Sequence, residues 1–145
     1  MKKLYFAKEL CFSPKKVFLI SDFINFCISL LPLSSDEIAI YLTSSREDYN
    51  IKTTAYYAPG NNLIVIYCKG RALVDVLRSI AHEMTHMMQD EQGLLTGHIQ
   101  DAGGFHEDQA NAKAGELIKL FAKSNPKRKA IYEGIKKRKI LGYVT

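Results

Sequence analysis

The sequence predicts one α+β domain covering residues 1–145, and three observations support this prediction. The length suits a single core, and the apolar and charged fractions, 47% and 24%, are those of an ordinary globular protein. Three short segments rich in β-branched and aromatic residues lie in the first half of the chain, whereas the second half shows helical periodicity. We therefore expect an N-terminal helix, a small sheet and three further helices.

The first predicted element is a buried helix over residues 17–31. Ser13 is suited to cap its start, Pro14 fits the first turn, and Pro32 would end it. The segment is shorter than a membrane span and contains Asp22, and lysines interrupt any signal-peptide pattern before it. We therefore expect no membrane contact.

Three strand candidates follow this helix, at residues 37–43, 53–57 and 62–67. A polar segment separates the first two, and a Pro-Gly-Asn turn precedes the third. Together they favour a small, mainly antiparallel sheet of about three strands. The last strand leads almost directly into the next helix.

That helix, predicted over residues 73–92, carries the pattern HExxH. Apolar side chains recur along one side: Leu73, Val76, Leu77, Ile80, Met84 and Met88. His82 and His86 stand one turn apart on nearly the opposite side, so both imidazoles can bind one metal ion. Glu83 points about 100° away from His82, where its carboxylate can take a proton from water without binding the metal. The spacing predicts a hydrolytic zinc centre, with a solvated histidine pair as the alternative.

A catalytic zinc normally has three protein ligands, so a third is expected elsewhere. A second helical pattern opens at residues 104–111, and Glu107 and Asn111 fall on its apolar side. A carboxylate buried there needs a partner, which a metal would provide. Asn111 is placed to hydrogen-bond a ligand. His106 is the alternative third ligand, and the position of the helix start decides between it and Glu107.

The HExxH motif at residues 82–86, followed by a helix with Glu107 and Asn111, resembles the gluzincin zinc metallopeptidases, most closely the compact minigluzincin type. The resemblance covers roughly residues 53–121. It implies a zincin-like fold, two histidine ligands, Glu107 as third ligand and Glu83 as general base. Aspartate stands in place of Asn111 in the best-known gluzincins, although asparagine occurs in similar compact peptidases.

The gluzincin resemblance also implies how a protein or peptide substrate binds. In this family the edge strand before the metal helix pairs with the substrate backbone as an additional strand. Residues 62–67, or a neighbouring strand, would have this role here. An ordinary sheet strand is the alternative.

Two neighbouring families differ in their third ligand. Metzincins require a glycine and a histidine where Gln89 and Gln92 stand, so the sequence excludes them. SprT/Spartan-like proteases, which act on DNA-bound proteins, use a third histidine after a loop, and His98 and His106 are available. This family remains an alternative to the gluzincins.

The peptidase hypothesis also needs a donor for the developing oxyanion. Residues 93–104 contain four glycines and no periodicity, which predicts a loop bordering the cleft. His98 in this loop, His106, Tyr132 and Tyr143 are the candidates, and the sequence does not choose among them.

The C-terminal segment, residues 124–145, is strongly basic. A helix is predicted over residues 127–139 after the break at Ser124-Asn125-Pro126. Residues 119–145 carry nine Lys/Arg and one acidic residue, whereas the preceding chain carries eleven basic and fourteen acidic residues. A solvated helix face or a nucleic-acid contact explains this charge. The second function hypothesis is thus a nucleic-acid-associated binding protein whose zinc site is structural or degenerate.

The cysteines indicate the compartment. Cys11, Cys27 and Cys68 are odd in number and widely spaced, without a Cys-x-x-Cys pair. This favours a reducing, cytoplasmic environment over a disulfide framework or a cysteine zinc site.

Overall fold

The computed structural model describes residues 2–35, 37–48, 51, 53–95 and 104–133. Its elements in chain order are strand β1 (Lys2–Phe6), helix α1 (Pro14–Leu30), strands β2 (Ile38–Thr43), β3 (Ala55–Ala58) and β4 (Leu63–Tyr67), and helices α2 (Leu73–Glu91) and α3 (Phe105–Ser124). Short 3₁₀ segments occupy Lys8–Leu10 and Pro126–Tyr132. The predicted α+β class is confirmed.

The sheet differs from its prediction, since it has four strands in the order β1-β2-β4-β3. Strands β1 and β4 run parallel to β2, and only β3 runs antiparallel, against β4. The expectation of about three mainly antiparallel strands was wrong for two reasons. Lys2–Phe6 was not recognised as a strand, and α1 forms a crossover that brings β2 parallel to it. Strand β3 pairs with one side of β4, and the other side of β4 pairs with β2.

Helix α1 begins as its sequence predicts. The Ser13 hydroxyl accepts a hydrogen bond from the Lys16 amide at 3.1 Å, and Pro14 occupies the first turn. The helix is anchored to α3 through an edge-to-face contact between Phe23 and Phe121, whose ring centroids lie 5.1 Å apart. Both rings are fully buried.

One apolar core joins the sheet to the helices. Its members in the central strands include Ile40, Ile64 and Ile66, all fully buried. Twelve of the nineteen residues of α2 are buried, which is more than one apolar stripe supplies. Helix α2 is therefore covered on several sides, including the side that carries the histidines.

The chain after α3 follows its predicted break but not its predicted helix. Helix α3 ends at Ser124, and the Asn125 side chain accepts a hydrogen bond from the Lys127 amide at 2.9 Å. The following residues up to Tyr132 form a 3₁₀ segment, so the expectation of an α-helix from residue 127 was wrong over this part. Residues 134–145 lie outside the described part of the chain. Within the described residues, no helix combines the length and apolarity needed to cross a membrane.

Candidate metal centre

The candidate site lies where the first turn of α3 packs against the middle of α2. Helix α3 begins after Gly104, which places Glu107 in its first turn. Ala110 and Ala114 are fully buried on this helix. Such small side chains let two helix axes approach closely, because the distance between packed helices depends on the side chains at the contact. The Glu107 carboxylate can therefore reach side chains on α2.

Three ligand-type side chains meet at this contact. His82 Nε2 lies 2.8 Å from Glu107 Oε1, and His86 Nε2 lies 3.0 Å from Glu107 Oε2. The two Nε2 atoms are 3.1 Å apart. Ligand atoms of a tetrahedral zinc with bonds of about 2.0–2.1 Å lie roughly 3.3 Å from one another. The group of His82, His86 and Glu107 could therefore hold a metal ion.

Gln89, one turn after His86, determines which nitrogen of that histidine faces the site. Its amide nitrogen donates to the His106 carbonyl at 3.0 Å and to Gln109 Oε1 at 2.7 Å. Its amide oxygen therefore faces His86 Nδ1, at 2.8 Å, and Nδ1 must carry the hydrogen. In the neutral ring, Nε2 then presents a lone pair to Glu107.

This arrangement brings hydrogen-bond acceptors into contact with each other. The His86 Nε2 lone pair faces a Glu107 oxygen, and neither atom can donate to the other. An additional proton or a cation is needed between them. Burial also lowers the pKa of the neighbouring His82, with Glu107 opposing this effect. Two imidazole nitrogens and a carboxylate that face one another are a donor set that fits a divalent metal.

Asn111 lies beside His82 and lines the same cavity. A hydrogen bond that the His82 ring donates to the Asn111 side chain acts to raise the pKa of His82, against the larger lowering effect of burial. The position one turn after Glu107 agrees with the expected supporting contact. However, Asn111 is exposed and Glu107 only half-buried, whereas the helical projection placed both on the apolar side.

Glu83 is buried beside the three ligands, with 6% of its surface exposed, and its side chain lines the cavity. Burial raises the pKa of Glu83 to about 8, and the nearby Glu107 carboxylate adds to this effect. The residue is outside the group of ligand atoms. Its carboxyl group can therefore bind a proton at the cavity wall while the other three residues face one another.

The cavity has a volume of about 530 Å³ and lies between α2 and the sheet edge. Thr53, Thr54 and Ala55, at the start of β3, line one side. Strand β3 is the sheet edge on this side, whereas β4 lies inside the sheet between β2 and β3. Of the two predicted alternatives, residues 62–67 were wrong as the edge, and the neighbouring strand has that position. The Tyr57 hydroxyl donates to Asp90 at 2.6 Å, which fastens β3 to α2.

The remaining candidates do not join the ligand group. The His106 side chain lies outside it, and its buried Nδ1 has no hydrogen-bond partner among the described residues. Tyr132 packs against the core and does not line the cavity. His98 and Tyr143 lie outside the described residues.

Sequence reasoning missed three residues of this site, Gln89 and two arginines. The sequence spacing could have predicted the contact of Gln89 with His86, since Gln89 stands three residues later on the same helix face. Arg71 and Arg78 line the cavity, and nothing in the local pattern distinguished them from surface arginines. Their placement depends on how the start of α2 packs against the sheet.

No family model, curated protein or solved structure significantly matches this chain. The gluzincin and SprT-like resemblances therefore depend only on the motif residues and on their geometry.

Proposed function

We propose that this chain is a zinc-dependent metallopeptidase that hydrolyses peptide bonds. The observation that carries the proposal is the convergence of His82, His86 and Glu107 from two helices, with Glu83 buried beside them. Two imidazoles and one carboxylate form a ligand set typical of catalytic zinc, which leaves a coordination position open. Structural zinc sites normally have four protein ligands, and the described residues bring three together.

When bound, zinc would polarise a substrate carbonyl and increase the acidity of water. His82 and His86 would present neutral imidazole nitrogens, and the hydrogen bond to Gln89 would hold the second ring in the required tautomer. Glu107 would contribute the negative charge that partly balances the cation. These are the roles of the three ligands.

Glu83 would be the general base and then the general acid. Its carboxylate would take a proton from the attacking water and return it to the leaving amine, a contribution of typically ~10²–10⁴-fold in rate. Burial gives this group a pKa of about 8, and an adjacent positive charge lowers such a value. A pKa brought close to neutrality suits a group that must both accept and donate a proton.

Strand β3 supports a peptide as the substrate. It is the sheet edge beside the cavity, and an edge strand offers unpaired backbone groups to an extended chain. Backbone pairing of this kind is indifferent to side-chain sequence. A peptide added to β3 would pass the ligand group.

The experiment separates metal binding from hydrolysis. Zinc content is measured by elemental analysis, and cleavage is followed with fluorescently labelled casein. Wild type should hold about one zinc per chain and cleave casein, whereas Glu83→Gln should hold the same zinc and cleave none. Glu116→Gln, an exposed glutamate of α3, is the matched control and should behave as wild type. Full hydrolysis by Glu83→Gln, or absence of zinc from wild type, would contradict the proposal.

A further inference from the structure

The cavity has a second polar region, which we call the arginine end. It consists of Arg71, Asp75, Arg78 and Ser79, which line the cavity together with the histidines. Asp75 and Ser79 share the helix face of His82, and they precede it along α2. The arginine end is therefore a continuation of the candidate metal site toward the start of α2.

The hydrogen-bond partners of the Arg71 guanidinium are neutral groups. Its Nη1 donates to the Tyr67 carbonyl at 2.8 Å, and its Nη2 donates to the Asp75 carbonyl at 3.0 Å and to Ser79 Oγ at 2.7 Å. Among the residues that the structure describes, no carboxylate lies within ion-pairing distance of this guanidinium. A half-buried positive charge that no carboxylate of the described residues contacts directly favours binding of an anion.

The neighbouring charges leave the arginine end positive. The Asp75 carboxylate is engaged by Arg78, whose Nη1 lies 2.7 Å from Asp75 Oδ1. Burial lowers the pKa of Arg71, the neighbouring Cys68 and Asp75 oppose this effect, and repulsion from Arg46 and Arg78 adds to it. The Asp75 carboxylate is thus paired with Arg78 alone, and the Arg78 guanidinium keeps donors that this pair does not use.

The spacing suits an extended peptide whose scissile bond lies at the ligand group. Arg78 precedes His82 by four residues, which is about 6 Å along the helix axis. An extended chain advances roughly 3.3 Å per residue. A group about two residues from the scissile bond would therefore reach Arg78.

We propose that the arginine end binds a carboxylate of the peptide substrate, either the C-terminal carboxylate or an aspartate or glutamate side chain. This inference rests on the proposed peptidase function and defines its substrate class as acidic peptides. Guanidinium groups bind carboxylates through two parallel hydrogen bonds, which gives the contact both strength and orientation.

A single carboxylate fits this cavity better than a nucleic acid does. Glu83, Glu107 and Asp75 line the same cavity, so a chain of phosphates passing through it would meet carboxylates as well as arginines. The positive charge is confined to one end. An isolated anionic group on an otherwise neutral peptide matches that distribution.

The test measures binding in zinc-free protein, so it does not depend on hydrolysis. The probes are four six-residue alanine peptides with the same uncharged BODIPY label at the N-terminus: a free C-terminus, an amidated C-terminus, and amidated peptides with one internal glutamate or one internal glutamine. Anisotropy titrations with the full chain should show about tenfold tighter binding of a carboxylate peptide than of its neutral counterpart. The pair that shows the difference identifies the source of the carboxylate.

Three variants connect the preference to the arginine end. Arg78→Gln should remove it, and Arg78→Lys, which keeps the charge without the planar fork, should retain part of it. Lys123→Gln, an exposed α3 residue outside the cavity, should leave it unchanged. Circular dichroism melts establish that each variant is folded.

Two outcomes of the peptide titrations would overturn the proposal. One is equal binding of charged and neutral peptides, and the other is an equal loss in Arg78→Gln and Lys123→Gln. Tighter binding of a labelled oligonucleotide that Arg78→Gln abolishes would also overturn it in favour of a phosphate site. Zinc uptake and casein cleavage are measured on the same protein. Cleavage without a carboxylate preference would reject only the arginine end, whereas a preference without zinc or cleavage would reject only the peptidase.

Discussion

Two charged clusters join helices in this protein, and they differ in whether their hydrogen bonds are complete. Arg128, in the 3₁₀ segment, donates from Nε to Asp22 Oδ2 at 2.9 Å and from Nη2 to Oδ1 at 2.8 Å. Its guanidinium also lies 4.5 Å from the Phe121 ring centroid. The His82, His86 and Glu107 cluster instead directs the His86 Nε2 lone pair toward a Glu107 carboxylate oxygen, so two acceptors face each other.

The difference separates a structural contact from a binding site. A planar guanidinium and a carboxylate satisfy each other, so the Arg128 cluster needs nothing from outside the chain. Facing acceptors are satisfied only by a proton or a cation, so the histidine cluster favours metal uptake. Charge alone would have favoured the Arg128 cluster as the binding site, because Arg128 lies in the basic segment that suggested a nucleic-acid contact.

The largest expected effect is at the third ligand. Glu107→Ala should lower zinc affinity by well over ~100-fold, which exceeds the range for residues that only support a ligand. His106→Ala, at the adjacent position, should change zinc affinity little because its side chain lies outside the ligand group. Competition titration with a chromogenic chelator measures both. The reverse order would favour a histidine-liganded, SprT-like site.

The next effect concerns the residue that sets the His86 tautomer. Gln89→Leu should lower zinc affinity by about 10–100-fold, because it removes the acceptor that holds the hydrogen on Nδ1. Gln109→Ala is the matched control, since it removes one partner of Gln89 but keeps the contact with His86. NMR of the ¹⁵N-labelled imidazole should show mixed tautomers in zinc-free Gln89→Leu. An unchanged tautomer there would reject this role.

A change in the Arg128 cluster should alter the stability of the fold and leave metal binding unchanged. Arg128→Ala should lower the free energy of unfolding by about 1–3 kcal/mol, since it leaves Asp22 without its partner and uncovers two aromatic rings. Zinc affinity should remain that of wild type. Lys127→Ala, an exposed neighbour, should alter neither quantity. Urea unfolding and chelator competition provide the measurements, and a parallel loss of zinc would show that the clusters are coupled.

The smallest effect is expected in zinc-free protein as pH changes. Burial raises the Glu83 pKa from its ordinary value of 4.5 to about 8. The stability that this protonation contributes is therefore fully present below pH 4.5 and is lost as pH rises through 8. Glu83→Gln avoids the buried charge. Its advantage in unfolding free energy over wild type should therefore grow between pH 7 and pH 9, by about 1–2 kcal/mol.

Urea unfolding in the presence of a chelator measures this pH dependence. Glu116→Gln, which changes an exposed glutamate, should show no such growth. A constant difference between Glu83→Gln and wild type across this range would show that Glu83 is not perturbed in the folded protein.

The sequence by itself determined the features that depend on neighbours a few residues apart. The capped start of α1 at Ser13, the end of α3 at Ser124 and the one-turn separation of His82 and His86 all follow from local helix geometry. The α+β class followed from the same periodicities. The segment Lys2–Phe6 escaped recognition because it is a sheet edge with mostly exposed side chains, which leaves a weak strand pattern.

Only the tertiary structure decided which of these elements meet. The pairing of β1 with β2 joins residues separated by a whole helix, and Glu107 meets His86 across 21 positions of sequence. Such contacts depend on how the buried faces of several elements pack together, which no local pattern specifies. The helix periodicity therefore predicted where the histidines stand on α2, whereas the packing of α3 against α2 placed Glu107 beside them and turned Gln89 toward the His86 ring.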